Sequence, residues 1–118
     1  MDNAVVVKSK FFAIRIVRAY KYLTQEKCEF VMSKQLLRSG TSIGANVKEA
    51  IRGQSKPDFY SKLNIALKEA SETEYWLEIL YETEYIDKKL FDSIISDCRE
   101  IIKLLISITK TQKSRTKK

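Results

Sequence analysis

Histidine is absent from the 118 residues. That removes His-based triads, the commonest general base and the commonest metal ligand in one step. Only one proline and three glycines are present. So few turn-formers argue against a fold of many short elements and for a few long ones. The two cysteines, Cys28 and Cys98, are isolated and show no CxxC spacing. They support neither a zinc site nor a disulfide framework, and both are expected as reduced thiols. The longest apolar runs, Ile101-Ile102 and Leu104-Leu105-Ile106, are interrupted by charge or hydroxyl within a few residues, so no membrane span is expected. The start, Met1 to Lys8, offers an acid and then an apolar stretch of four, too short for a signal-peptide core. Residence in the cytoplasm is the expectation.

What is present suits one soluble domain. Apolar residues make up 44% and charged residues 31% of the chain, an ordinary globular balance at a length that can bury a real core. The net charge of +7 is unevenly spread: residues 1–68 carry 13 basic and 5 acidic side chains, residues 69–109 carry 4 and 10, and residues 110–118 carry 5 and none. A chain so polarised can pair with copies of itself, and its basic parts can meet a polyanion.

Apolar periodicity predicts four helices. The first runs from about Lys8 to Thr24, with Phe12, Ile16, Ala19, Tyr20 and Leu23 on one face. The second runs from about Phe30 to Arg52 along a seam of Leu36, Leu37, Gly40, Ile43, Gly44, Val47, Ala50 and Ile51. The third opens with Ser55-Lys56-Pro57-Asp58, an N-cap with proline in the first turn and an acid three residues on, and continues to about Tyr85 along a seam of Phe59, Leu63, Ala66, Leu67, Ala70, Thr73, Leu77 and Leu80. The fourth follows Asp87, a good N-cap, with Ile86 placed to staple onto Phe91, and carries a seam from Phe91 to Ile108 that includes Cys98 as a small core residue. Short joints between long helices force antiparallel neighbours. The expected fold is therefore all-α, an antiparallel up-down four-helix bundle over 9–109. An N-terminal arm over 1–8 and a basic, unstructured tail over 110–118 complete the expected organisation.

The second helix holds Gly40, Thr41, Ser42, Gly44 and Asn46 together, which helix propensity would not select. Two interior glycines cost roughly 1 kcal/mol each relative to alanine. Gly40, Gly44 and Ala45 remove bulk, and close helix packing inside the bundle or between subunits would offset that cost. Arg38, Ser42, Asn46 and Glu49 form a polar stripe beside the seam. Buried polar groups must find partners, and Glu69, Glu72 and Glu74 of the third helix are the natural ones. Arg38 is expected to pair with Glu69 or Glu72, and Ser42 and Asn46 to hydrogen-bond across helices. As an active site the stripe lacks a base to activate Ser42 and any glycine-rich phosphate loop. No catalytic residue, metal ligand, cofactor or small-molecule substrate is expected. Trp76 with Tyr75, Tyr81 and Tyr85 is read as core, because the stretch is acidic and base stacking wants cations nearby. For phosphate contact the choice falls on Lys8, Lys10, Arg15, Arg18 and Lys21 of the first helix. Lys110, Lys113, Arg115, Lys117 and Lys118 of the tail join them.

The run Gln35-Leu-Leu-Arg-Ser-Gly-Thr-Ser-Ile-Gly-Ala-Asn-Val-Lys-Glu49 resembles the signature of the four helix bundle proteins, also called 23S rRNA-intervening sequence proteins. Ser55-Lys56-Pro57-Asp58-Phe59, Leu63 to Ala70, and Glu72-Thr73-Glu74-Tyr75-Trp76-Leu77 match the same pattern. The likeness extends from Phe11 to about Lys110 and is strongest over 33–80. Gly44 stands where many members have proline, and Ala50 where many have glycine. The resemblance implies a small bacterial protein, a four-helix bundle and a homopentameric ring. Some members are encoded by insertions within rRNA genes. It also implies similarity in fold to the accessory protein of diversity-generating retroelements, a basic pentameric barrel that engages nucleic acid. The functional expectation is a non-catalytic oligomeric scaffold that binds RNA or DNA. The alternative is a protein–protein interaction ring with no nucleic-acid role.

Overall fold

Val5, Phe12 and Ile16 recur at helical spacing, and all three are almost fully buried. This face explains where the first helix begins. In the computed structural model, which describes residues 3–116 and the side chains of residues 4–111, α1 spans Asn3–Gln25. Residues 3–8, expected as an arm, are therefore its first turns. Extending the helix puts Val5 into the core, which contributes on the order of 1.5 kcal/mol.

The other helices are α2 (Met32–Ile51), α3 (Lys56–Glu82) and α4 (Lys88–Thr116). No strand occurs among the described residues. Each helix packs on its neighbours in the order α1, α2, α3, α4 and back to α1, the α1–α4 seam being the thinnest. The result is an antiparallel up-down four-helix bundle of 51 × 22 × 22 Å. Its core is the predicted set of seams: Phe12, Ile16 and Leu23; Leu36, Ile43 and Val47; Leu63, Leu77 and Leu80; Ile94, Ile101 and Leu105. Cys98 is buried there, and burial pushes its thiol up to about 12, which keeps it protonated and unreactive. Ile51 departs from the expected seam and is half exposed, because α2 ends on it.

The caps decide the boundaries. Ser55 accepts a hydrogen bond from Asp58 N at 3.2 Å and starts α3 as expected. Asp87 accepts from Leu90 N at 2.8 Å and starts α4. Phe91 stacks on Tyr81 with ring centroids 4.3 Å apart, joining α3 to α4. The start of α2 is different from expectation. Phe30 and Val31 are exposed and lie outside it. The carboxylate of Glu29 accepts from the backbone N–H groups of Val31 (3.1 Å), Met32 (3.1 Å) and Ser33 (2.7 Å) and caps the helix. At the other end of the chain α4 runs on to Thr116. Its backbone over 110–116 is helical where an unstructured tail is expected from composition. Propagating an established helix adds a hydrogen bond for each residue fixed. Residues 1, 2, 117 and 118 lie outside the described residues.

Candidate functional site

The polar stripe of α2 faces α3, and its centre is Arg38. The guanidinium donates from Nη1 to Glu69 Oε2 at 3.1 Å and from Nη2 to Glu72 Oε2. The same Glu72 oxygen accepts from the Trp76 indole Nε1 at 3.1 Å. The indole N–H and the guanidinium, working against burial, hold the Glu72 carboxyl below its usual range. Arg38 is correspondingly raised by its hydrogen bond to Glu72. The expected Arg38 pairing is thus present with both acids. Half of the Arg38 side chain is exposed, so solvent screens the pair and its contribution to stability is about 0–1 kcal/mol.

Ser42 and Asn46 differ from expectation. Ser42 Oγ donates to Arg38 O at 2.6 Å and Asn46 Nδ2 donates to Ser42 O at 2.8 Å. Both turn back onto their own helix, a local bond available to short polar side chains and shorter than any reach across the seam. Glu49 pairs loosely with Lys62 of α3 at 3.6 Å. The fourth acid, Glu74, goes instead to Arg99 of α4 at 2.8 Å. The guanidinium is engaged with Glu69 and Glu72, the Ser42 hydroxyl with a backbone carbonyl, and Glu49 and Glu74 with cations of α3 and α4. None forms a nucleophile and base pair.

The buried bridge between α2 and α3 is one that sequence reasoning missed. Thr73 Oγ1 and Ser39 Oγ lie 2.9 Å apart, and both residues are fully buried. Thr73 Oγ1 also hydrogen-bonds to Glu69 O at 2.8 Å. A signal existed: Ser39 falls three residues after Leu36 and four before Ile43, on the seam itself. Thr73→Val keeps the shape but leaves the Ser39 hydroxyl only its long 3.4 Å bond to Leu36 O. It is expected to cost about 1 kcal/mol, measured as a drop in urea midpoint with unchanged m-value.

The close-packing residues resolve into two that act and one that does not. A Cβ on Gly40 would lie 2.7 Å from Ile16 Cγ1, and one on Gly44 would lie 3.2 Å from the backbone oxygen of Ser9. Both glycines therefore admit α1, within the chain. Ala45 is exposed and lines the α1–α2 groove.

The cations of α1 divide by what faces them. Lys8 pairs with Glu100 at 3.1 Å and Arg15 with Asp97 at 2.6 Å, closing the α1–α4 seam. Lys10, Arg18 and Lys21 are exposed. Among the described residues no carboxylate lies within ion-pair distance of them. Lys110 is exposed on α4. The side chains of Lys113 and Arg115, and all of Lys117 and Lys118, lie outside what the structure describes. No cluster of three or more potential metal ligands occurs among the described residues, and no helix there is long and apolar enough to cross a membrane.

Comparison with known proteins adds the wider context. The sequence model of a family described as 23S rRNA-intervening sequence protein matches residues 1–107. The chain is also similar to a protein from Bacteroides thetaiotaomicron VPI-5482 whose crystal structure is known at 1.70 Å. That protein is described as one with unknown function from the S23 ribosomal protein family. Sequence identity is 64% with a TM-score of 0.89, over 90% of this chain and 98% of that one. Comparison with curated proteins gives no match.

Proposed function

Because the chain belongs to the 23S rRNA-intervening sequence protein family, we propose that it is a cytoplasmic, non-catalytic, oligomeric scaffold that binds RNA. The observation that carries the reading is the sorting of charge on α1. Lys8 and Arg15 are neutralised by acids of α4, whereas Lys10, Arg18 and Lys21 are exposed without a carboxylate partner among the described residues. Between Asn3 and Gln25 there is no acid at all. Free cations held on a rigid helix suit a phosphate backbone, whose affinity derives from released counterions. Support for assembly comes from the same helix. Val7, Phe11 and Ile14 lie on its outer face at i, i+4 and i+7 and are 65%, 58% and 42% exposed. An apolar stripe of that kind is a docking face, and a second copy of the chain is the occupant this reading assigns. A homopentamer, the state the resemblance implies, is the proposed closure.

The test is a titration with single-stranded RNA at several salt concentrations, comparing the full chain with one ending at Thr109. The expected result is binding that weakens steeply with salt, with a smaller slope after truncation. Sedimentation equilibrium is expected to return the mass of a pentamer. No binding by either chain at low salt would overturn the RNA reading.

One observation favours a second reading, an interaction ring without nucleic acid. Glu82 and Glu84 at the end of α3 are exposed and have no cation within ion-pair distance among the described residues. They offer a neighbouring subunit's free lysines a partner. Assembly that dissociates with salt, in a protein that ignores RNA, is the result that would select it.

A further inference from the structure

The outward-facing cations are not confined to α1. In the last turn of α2 and at the residue that follows it, Lys48 and Arg52 are exposed and, like Lys10, have no carboxylate partner among the described residues. The three meet across the α1–α2 groove in a cavity of about 570 Å³, the size range of small-ligand sites. No acid lines it. Its floor is apolar and low: Val6 and Ala13 from α1, Gly44 and Ala45 from α2. The glycine that lets α1 approach also leaves the floor without a side chain at that point. The register set by Gly40 on Ile16 and Gly44 on Ser9 is antiparallel. It puts Lys21 and Lys34, both exposed and without a carboxylate partner among the described residues, toward the other end of the same groove. Along the helix axis Lys10 and Lys21 are roughly 16 Å apart. Favourable placement at a helix C-terminus accounts for Lys48 and Arg52 taken alone. It does not account for Lys10, Lys21 or Lys34.

We propose that the α1–α2 groove is a contact surface for single-stranded nucleic acid. Lys10, Lys48 and Arg52 hold phosphates there, and the apolar floor lies under a sugar or base. The inference rests on the RNA reading above and adds a location for it, one that includes α2. A cavity this size admits a nucleotide unit, and a duplex, whose bases stay stacked and paired, could not lay one on its floor. Cations around an apolar floor are the pairing that single-strand binders use.

The experiment is a fluorescence titration of a labelled mixed-sequence single-stranded RNA at several salt concentrations, with two charge-matched variants of the full chain. The groove variant carries Lys10→Gln, Lys48→Gln and Arg52→Gln. The control carries Lys68→Gln, Lys89→Gln and Lys103→Gln, which are exposed on α3 and α4. Circular dichroism melts confirm that both fold. The expected result is a loss of at least about tenfold in affinity and a drop of roughly 2 in the salt slope for the groove variant alone. Each single-strand phosphate contact contributes roughly 0.7 to that slope. Equal losses in the two variants would overturn the groove while leaving the RNA reading intact. No binding by the unaltered chain at low salt would overturn both. Duplex DNA bound as tightly as the single strand would overturn the placement of a sugar or base on the floor.

Discussion

Gly40→Ala is expected to lower stability by about 1–2 kcal/mol, although the same change stabilises most helices. A single added methyl group would face three atoms of one side chain, Ile16 Cγ1 at 2.7 Å, Cγ2 at 2.8 Å and Cδ1 at 3.1 Å. Ile16 is fully buried, and both its Cγ atoms are bonded directly to the branching Cβ, so neither is a flexible end that can swing aside. Inserting a methyl into a packed core costs about 1–3 kcal/mol, and the gain in helix propensity returns up to about 1 kcal/mol. A loss of 1 kcal/mol lowers the melting temperature by roughly 4 °C in a domain of this size. Gly44→Ala separates the two effects. Its Cβ meets the Ser9 backbone oxygen at 3.2 Å, a contact relieved by a few tenths of an ångström, and the net change is expected within about 0.5 kcal/mol of zero. The cause is isolated by a double-mutant cycle. In an Ile16→Ala background, Gly40→Ala loses its steric partner and becomes neutral or stabilising. If Gly40→Ala destabilises that background just as much, contact with Ile16 is not the reason for the glycine.

The second large effect belongs to Glu29, an acid that reads from the sequence as an ordinary loop residue. It is 8% exposed, and its two oxygens take three backbone N–H groups at the start of α2, which carries no other side-chain cap. Glu29→Ala strands those donors and is expected to cost about 2–3 kcal/mol. Glu29→Gln keeps one acceptor oxygen and places an NH2 where the other stood, so about half that loss is expected. The carboxyl also couples stability to pH. Burial alone would raise it, but the N–H groups of Ser33, Met32 and Val31 and the Ser33 hydroxyl together hold it below the usual value. A folded-state value below the unfolded one means that the unfolded chain binds the proton first as pH falls. The stabilisation is complete above the unfolded value of about 4.3 and is lost as pH drops through the folded value. The gap in melting temperature between the unaltered chain and Glu29→Gln is therefore expected to be widest near neutrality and to close in acid. A gap that stays constant through the carboxylate range would refute the capping role.

How far the site was legible follows from the range of the forces involved. Arg38 and its acids could be read because ion pairs between adjacent helices need only face and register, which periodicity supplies. Ser42 and Asn46 were misplaced because two polar residues beside a seam look alike in sequence whether they bond across it or back to their own turn. The local bond wins when the carbonyl one turn earlier is within reach of a short side chain. Ser39 was overlooked beside them for the converse reason. Its hydroxyl lies deep enough to meet Thr73, and depth depends on how tightly α2 and α3 approach. For Lys8 and Arg15, sequence gave the charge, but only the fold showed that Glu100 and Asp97 neutralise it.

Sequence by itself determined the number of helices, their seams and their antiparallel order. Scarce glycine and proline, apolar residues at a 3.6-residue period and strong caps at Ser55 and Asp87 all act within one element or across one short joint. Tertiary structure alone decided which surfaces remain open. Gly40 became indispensable because Ile16, 24 positions earlier, arrives against it. The free cations of α1 and α2 share a groove because two helices pack closely enough to bring them together. Each of these depends on contact between residues distant in sequence, and no pattern along one helix carries that distance.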